Sequence, residues 1–123
     1  ATAYPVVFDM EPSLSGDDRI SSLTNDQMTA IAKAFCKEVQ KNGYYACVYG
    51  SRADLAHYDL AALSRYGFWY AEYAKAPTMA LRYGIWQYTD SGKVDGIDGN
   101  VDLDIDLTTA LEKVQKAEKS KAQ

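Results

Sequence analysis

Residues 4–11 read YPVVFDME, an apolar run that ends in two acids. Such a run is typical of a buried strand, and Pro12 ends it. Because side chains alternate along a strand, Asp9 and Glu11 are predicted to share one face near its C-terminal end. Repulsion between two neighbouring carboxylates raises one of their pKa values, which suits a general acid. A strand that simply reaches solvent gives the same pattern, so this pair alone leaves both interpretations open.

The elements that follow begin as a parallel α/β unit. Thr24 and Gln27 have capping-box spacing and predict a helix that ends at Asn42-Gly43. Further strands are predicted at residues 44–49, 68–73, 82–88 and 101–105, a short helix or turn at 51–63, and a last helix at 107–119. A closed α/β barrel needs ~200–250 residues, so the pattern fits either a small open sheet or part of a barrel.

Charge and composition exclude several classes of protein. Thirteen Lys and Arg against 17 Asp and Glu give the 123 residues a net charge of −4, without a basic patch for nucleic acid or for an anionic membrane surface. No apolar run approaches the ~18 residues of a membrane span. The sequence begins with Ala1 and carries no signal-peptide pattern, which indicates a processed or excised piece.

Cysteine and tyrosine content carry two further expectations. Cys36 falls on a predicted helix and Cys47 on a predicted strand, which favours two buried free thiols, with one bridge between adjacent elements as the alternative. Ten tyrosines are many for this length. A few suit a carbohydrate cleft, because tyrosine offers a flat apolar face and a hydroxyl, whereas most are expected at half-buried strand positions.

A second polar constellation begins at residues 86–92, WQYTDSG. Trp86 and Tyr88 share one strand face and are predicted to form a stacking wall for a sugar ring, and Asp102 and Asp104 share a face of the last strand. A calcium loop is disfavoured, because Gly and Glu are missing from its sixth and twelfth positions. The sequence offers no phosphate-binding glycine loop, and its one histidine cannot supply a His-rich zinc site.

In this order, the segments resemble glycoside hydrolase family 25, the muramidases or lysozymes of bacteria and phage endolysins. The resemblance is carried by residues 5–11, 43–49, 69–73 and 86–102. It implies an α/β fold: an incomplete (β/α)-type, TIM-like barrel, the C-terminal part starting at the strand with the D-x-E motif. Family members carry earlier strands with a further active-site Asp. We therefore expect part of the site to lie outside this sequence, which leaves open whether this chain is active by itself.

The resemblance implies hydrolysis of the β-1,4 bond between N-acetylmuramic acid and N-acetylglucosamine in bacterial peptidoglycan, with assistance from the substrate's acetamido group. Glu11 is then the general acid/base, and Asp9 stabilises charge and orients the acetamido group. The residues carried over are catalytic Glu11, Asp9 and Asp102, and substrate-binding Tyr49, Tyr73, Trp86 and Tyr88. A chitinase-like hydrolase and a non-catalytic glycan-binding module are the alternatives.

Further expectations concern partners, location and domains. The family chemistry requires no metal or organic cofactor. The expected partner is the peptidoglycan glycan strand, with neither nucleic acid nor membrane, and unpaired strand edges favour a homodimer. The expected location is extracellular or at the cell wall. Residues 1–112 are assigned to the catalytic barrel, and residues 113–123 to the end of the last helix and a polar tail.

Overall fold

The computed structural model describes residues 2–122, without the side chains of residues 110, 111, 114 and 115. Within that range it contains five strands and three helices: β1 (Val6–Asp9), α1 (Asn25–Lys41), β2 (Ala46–Ser51), α2 (Arg52–Leu55), β3 (Gly67–Ala71), β4 (Ile85–Gly92), β5 (Val101–Asp106) and α3 (Thr108–Lys121). The strands neighbour one another in chain order. The chain divides into two compact units, residues 1–68 and 69–123, and the division falls within β3.

The first unit is the parallel β-α-β start that the sequence predicts. β1 pairs with β2 in parallel, and Asp9 stands opposite Tyr49. Thr24 caps α1: its hydroxyl accepts from the Gln27 backbone, and the Gln27 side chain accepts from the Thr24 backbone. Phe8 packs on Phe35 with ring centroids 5.2 Å apart, so β1 turns Phe8 toward α1 and Asp9 toward the opposite face. This packing decides which side of the first unit carries the acids.

Apolar residues recur along α1 at helical spacing, at Met28, Ile31, Phe35 and Val39, but the buried face of the helix follows them only in part. Met28 is buried, but Ile31 is 41% exposed, and Phe35 and Val39 are half-buried. The other buried positions are Ala32 and Cys36, each four residues after the last. Small side chains at these positions let the helix backbone lie close to the strands, a preference that hydrophobicity alone does not reveal.

Both cysteines are free and buried, as the sequence predicts. Cys36 is fully buried on α1, and Cys47 is nearly so on β2. Burial raises the pKa of Cys36 to about 11. It also raises that of Cys47 to about 12, with a further contribution from Cys36. These thiols are therefore structural groups of the core.

The second unit combines a parallel and an antiparallel strand pair. β3 runs parallel to β4, with Tyr70 opposite Trp86. β4 and β5 are antiparallel, and their register shifts twice, between Gln87 and Thr89 and between Thr89 and Gly92. The predicted fourth strand, 82–88, therefore lies too early. The polar C-terminal half of β4 pairs with β5 through these irregularities, and its residues resemble a loop in the sequence.

The last helix begins one residue later than predicted and runs two residues further. The Leu107 backbone donates to Gly84, and Arg82 pairs with Glu118. No helix within residues 2–122 is long and apolar enough to cross a membrane. The proposed boundary between residues 112 and 113 stays a prediction, and residues 1 and 123 lie outside the described range.

Candidate functional site

The seven predicted site residues divide between the two units. The first unit contains the acids of the D-x-E motif and one tyrosine, and the second contains the remaining acid and three aromatic residues. They are Asp9, Glu11 and Tyr49 in the first unit, and Tyr73, Trp86, Tyr88 and Asp102 in the second.

Asp9 and Glu11 form the carboxyl pair that the sequence predicts. Asp9 is the last residue of β1, and Glu11 follows after the strand has ended. Burial raises the pKa of Glu11, and so do its hydrogen bond with Asp9 and the charges of Asp9 and Asp54. A hydrogen bond between two carboxyl groups requires a shared proton. Glu11 therefore retains a proton to higher pH than an ordinary glutamate, which suits a general acid.

Asp54 is a third acid of this neighbourhood that the sequence analysis did not assign. It lies on α2 and accepts from the Ser51 hydroxyl at 2.6 Å and from the Ser51 backbone at 2.9 Å. The Asp54 backbone donates in return to the Ser51 hydroxyl, which completes a capping box. The S-x-x-D spacing is the signal that predicts this arrangement. Within residues 2–122, no three His, Cys, Asp or Glu side chains are grouped so that they could hold a metal ion.

Two tyrosines of the first unit accompany the acids. Tyr49 stands opposite Asp9 in the β1–β2 register and is half-buried. Tyr58 is buried, and its hydroxyl oxygen has no hydrogen-bond partner among the described residues. Burial raises the pKa of Tyr58 to about 12, with contributions from the charges of Asp54 and Asp9. Tyr58 therefore keeps its proton throughout the physiological range.

Polar side chains form a row across one face of the second unit, and we call this set the polar row. Its members are Trp69, Tyr73, Gln87, Asp102 and Asp104. The Tyr73 hydroxyl donates to Gln87 Oε1 at 2.9 Å, and Gln87 Nε2 donates to Asp102 Oδ2 at 3.2 Å. Trp69 Nε1 donates to Asp104 Oδ1 at 2.7 Å. Each acid on this face of β5 thus has its own donor.

The surroundings of Asp104 shift its pKa in opposite directions. Burial raises its pKa, the hydrogen bond from Trp69 lowers it, and the charge of Asp102 raises it again, with a net increase. The shared face of Asp102 and Asp104 agrees with the alternation that the sequence predicts. Sequence reasoning missed Gln87 and Trp69, because nothing in their local pattern indicates a partner on another strand.

Trp86 and Tyr88, which the strand alternation places on one face, are neighbours on β4. The rings of Trp86 and Tyr88 have centroids 5.7 Å apart and are tilted by 55°. They border an open hollow of about 580 Å³, which is also lined by Tyr73, Ala74, Lys75, Thr89, Asp90, Ser91 and Ile105. Trp86 directly precedes Gln87, so its ring and the Gln87–Asp102 hydrogen bond lie on opposite faces of the strand.

Glu72 organises the residues that follow β3. Its carboxylate accepts from the Tyr70 hydroxyl at 3.0 Å, and from the Thr78 backbone and hydroxyl at 2.7 and 2.6 Å. Its carbonyl oxygen accepts from Trp86 Nε1 at 3.0 Å. These bonds hold the connection between β3 and β4, and with it one rim of the hollow.

Comparison with known protein families identifies the family of this chain. The family model described as "Glycosyl hydrolases family 25" matches residues 1–97 of the 123. The chain belongs to this family. A search of the curated proteins found no match.

Several solved structures share the fold of this family 25 chain. A family 25 glycosyl hydrolase from Bacillus anthracis is 21% identical with a TM-score of 0.68, over 83% of this chain and 49% of that one. The CTP1L endolysin is 24% identical with a TM-score of 0.66, over 91% and 38%. The modular autolysin LytC from Streptococcus pneumoniae is 24% identical with a TM-score of 0.68, over 85% and 26%.

These matches confirm the predicted family and the α/β fold at the level of a partial family 25 domain. The chain spans about a quarter to a half of the length of these three proteins. The roles assigned to the seven site residues stay predictions.

Proposed function

We propose that this chain is the C-terminal part of the catalytic domain of a peptidoglycan-degrading enzyme. The bond proposed for cleavage is the β-1,4 linkage between N-acetylmuramic acid and N-acetylglucosamine, in a TIM-like barrel whose D-x-E strand is β1. Membership of family 25 supports this proposal, as does the likeness in fold to an endolysin and an autolysin. The observation that carries it is the hydrogen-bonded pair of Asp9 and Glu11, in which the pKa of Glu11 is raised.

In the proposed reaction, Glu11 is the general acid. It donates its proton to the glycosidic oxygen while the bond from that oxygen to the anomeric carbon breaks. The acetamido oxygen of the same sugar attacks the anomeric carbon, and the Asp9 carboxylate orients the acetamido group and stabilises its developing positive charge. Glu11, now ionised, then removes a proton from water as the water opens the cyclic intermediate. The product keeps the original anomeric configuration.

The remaining site residues are proposed to bind the glycan. Asp102, held by Gln87, helps to shape the catalytic pocket. Tyr49 adds an aromatic surface next to Asp9 in the strand register, and Tyr73 adds one beside the polar row. Trp86 and Tyr88 offer apolar faces on which sugar rings stack. Because they lie on the opposite face of β4 from Asp102, we propose that they bind the glycan outside the catalytic pocket. Action on peptidoglycan further implies a location outside the cytoplasm or at the cell wall, and pairing of two copies through strand edges is part of the proposal.

The test is release of reducing sugar from purified peptidoglycan by this chain and by its Glu11→Gln variant. The control is Glu112→Gln, which removes an exposed carboxylate on α3. Release that only Glu11→Gln abolishes supports the acid assignment. Release that persists in Glu11→Gln contradicts it.

One further substrate, one extended protein and a glycan-binding measurement separate the alternatives. Faster hydrolysis of chitin than of peptidoglycan would replace the proposal with a chitinase-like activity. If the chain is inactive, the assay is repeated on a protein in which family 25 N-terminal strands precede residue 1. If neither this chain nor the extended protein hydrolyses the glycan, and if glycan binding survives Glu11→Gln, the domain is a binding module instead.

A further inference from the structure

We propose that Gln87 is a positioning residue that fixes the orientation of the Asp102 carboxylate, itself held in place by the Tyr73 hydroxyl. The inference rests on the proposed function for the role of Asp102 in hydrolysis. The contact itself belongs to the structure: Gln87 Nε2 lies 3.2 Å from Asp102 Oδ2, and Tyr73 Oη lies 2.9 Å from Gln87 Oε1.

The burial of Gln87 is the first argument. Its side chain is only 4% exposed, whereas Asp102 is exposed. Placing an amide where water cannot solvate it costs free energy unless both of its ends are hydrogen-bonded. Tyr73 and Asp102 supply those bonds at the two ends, so the packing around Gln87 determines the direction in which its Nε2 points. An exposed acid thus takes its orientation from a buried neighbour.

The chemistry of the three groups determines the direction of each hydrogen bond. An ionised carboxylate only accepts, so the amide nitrogen of Gln87 must face Asp102. The amide oxygen then faces Tyr73, whose hydroxyl must donate. The reverse amide orientation would place two acceptor oxygens against each other. Asp102 therefore selects the amide orientation, and the Tyr73 hydroxyl, which can donate or accept, takes the donor role that this orientation requires.

The strand register alone does not determine which acid of β5 Gln87 contacts. Gln87 stands directly opposite Asp104 in the β4–β5 pair, yet its amide reaches the neighbouring acid on the same face, Asp102. Asp104 accepts instead from Trp69 Nε1 at 2.7 Å. Gln87 and Trp69 therefore donate to different acids of this face.

The first test reads the contact without any enzymatic activity. Side-chain amide signals of Gln87 are followed by NMR in the 123-residue chain while the pH is lowered from neutral to acidic. We expect these signals to change over this pH range, and we expect Asp102→Asn to remove that response. Asp104→Asn is the matched control and leaves most of the response in place. A response that is insensitive to Asp102→Asn, or that disappears only in Asp104→Asn, overturns the proposal.

The second test reads the functional consequence on peptidoglycan, in this chain or, if it is inactive, in the extended protein described above. Gln87→Met is expected to lower kcat ~10- to 100-fold with little change in KM, the scale of one charge-assisted hydrogen bond. The control is Gln40→Met, at an exposed position of α1. Tyr73→Phe is expected to have a smaller effect in the same direction.

Gln87→Glu distinguishes positioning from a purely structural role. Its carboxyl group can donate to Asp102 only while protonated, so we expect activity near that of the parent at acidic pH and a progressive loss toward neutral pH. A pH profile of unchanged shape, in a variant that remains folded by circular dichroism, overturns the proposal. Absence of hydrolysis in the parent protein contradicts the proposed function but not the positioning of Asp102 by Gln87, because the NMR experiment tests that contact without any activity.

Discussion

Replacing Glu11 with glutamine should stabilise the protein at neutral pH while removing its proposed activity. Folding partly buries Glu11 and places it beside Asp9 and near Asp54, and its pKa rises. An acid whose pKa is raised by folding favours the native state below its ordinary value of 4.5. That contribution is lost as the pH rises through the native pKa, where the carboxylates repel each other. The amide of glutamine resembles the protonated acid and can still donate to Asp9.

The size of the gain follows from the exposure of the pair. Two unit charges about 4 Å apart interact by ~1 kcal/mol in water and more strongly where water is excluded. Asp9 and Glu11 are both exposed, so screening keeps the effect near the lower limit. We expect Glu11→Gln to raise the free energy of unfolding by ~0.5–1 kcal/mol at pH 7, and we expect the gain to shrink toward zero near pH 3.5.

Urea unfolding at the two pH values measures this difference directly. Glu112→Gln, which removes an exposed carboxylate on α3, shows the effect of one lost negative charge on the whole protein. A variant that is less stable than its parent at pH 7 would refute the reasoning. An equal gain at both pH values would do so as well, because repulsion between ionised groups cannot persist when they are protonated.

Three further substitutions test packing and capping, each by urea unfolding at pH 7. Thr24→Ala removes half of the α1 capping box and should cost ~1 kcal/mol; no loss would mean that the cap is not formed in solution. Tyr58→Phe removes a buried hydroxyl without a partner among the described residues and should be neutral or stabilising by up to ~1 kcal/mol; a clear loss would reveal a partner. Gly92→Ala places a Cβ against the Leu103 side chain and 3.0 Å from the Val101 carbonyl oxygen, and should cost ~1–3 kcal/mol. That cost should fall when Leu103 is also replaced by alanine, and an unchanged cost would contradict the packing argument.

Local signals in the sequence predicted much of the fold. The spacing of Thr24 and Gln27 predicted the start of α1, because a capping box involves residues only three positions apart. The apolar run within residues 4–11 likewise predicted β1, which the structure limits to Val6–Asp9. The extent of β4 was not predictable in the same way. Its polar residues are ordered by pairing with β5 across two register shifts, and such pairing has no local signature.

The candidate site likewise contains some features that the local sequence predicts and others that it does not. The proximity of Asp9 and Glu11 follows from residues two positions apart, and it adds to the rise in the Glu11 pKa that burial begins. The hydrogen bond from Gln87 to Asp102 depends instead on which residues of two strands come together, and the sequence does not encode that locally. Trp86 and Tyr88 were predicted to share one strand face, and their rings are neighbours in the structure, while their role as a stacking wall for sugar stays a prediction. Their position on the opposite face of β4 from Asp102 became visible only with the hydrogen bond of Gln87.

The two buried thiols can report local opening of the first unit. Cys36 and Cys47 both lie within residues 1–68, and they are the only cysteines of the chain. A thiol reagent needs an accessible thiolate, and burial withholds both access and ionisation. Labelling therefore requires an opening of the first unit that exposes Cys36 or Cys47. Its rate in the native protein measures how often that happens, with no added probe and no signal from the second unit.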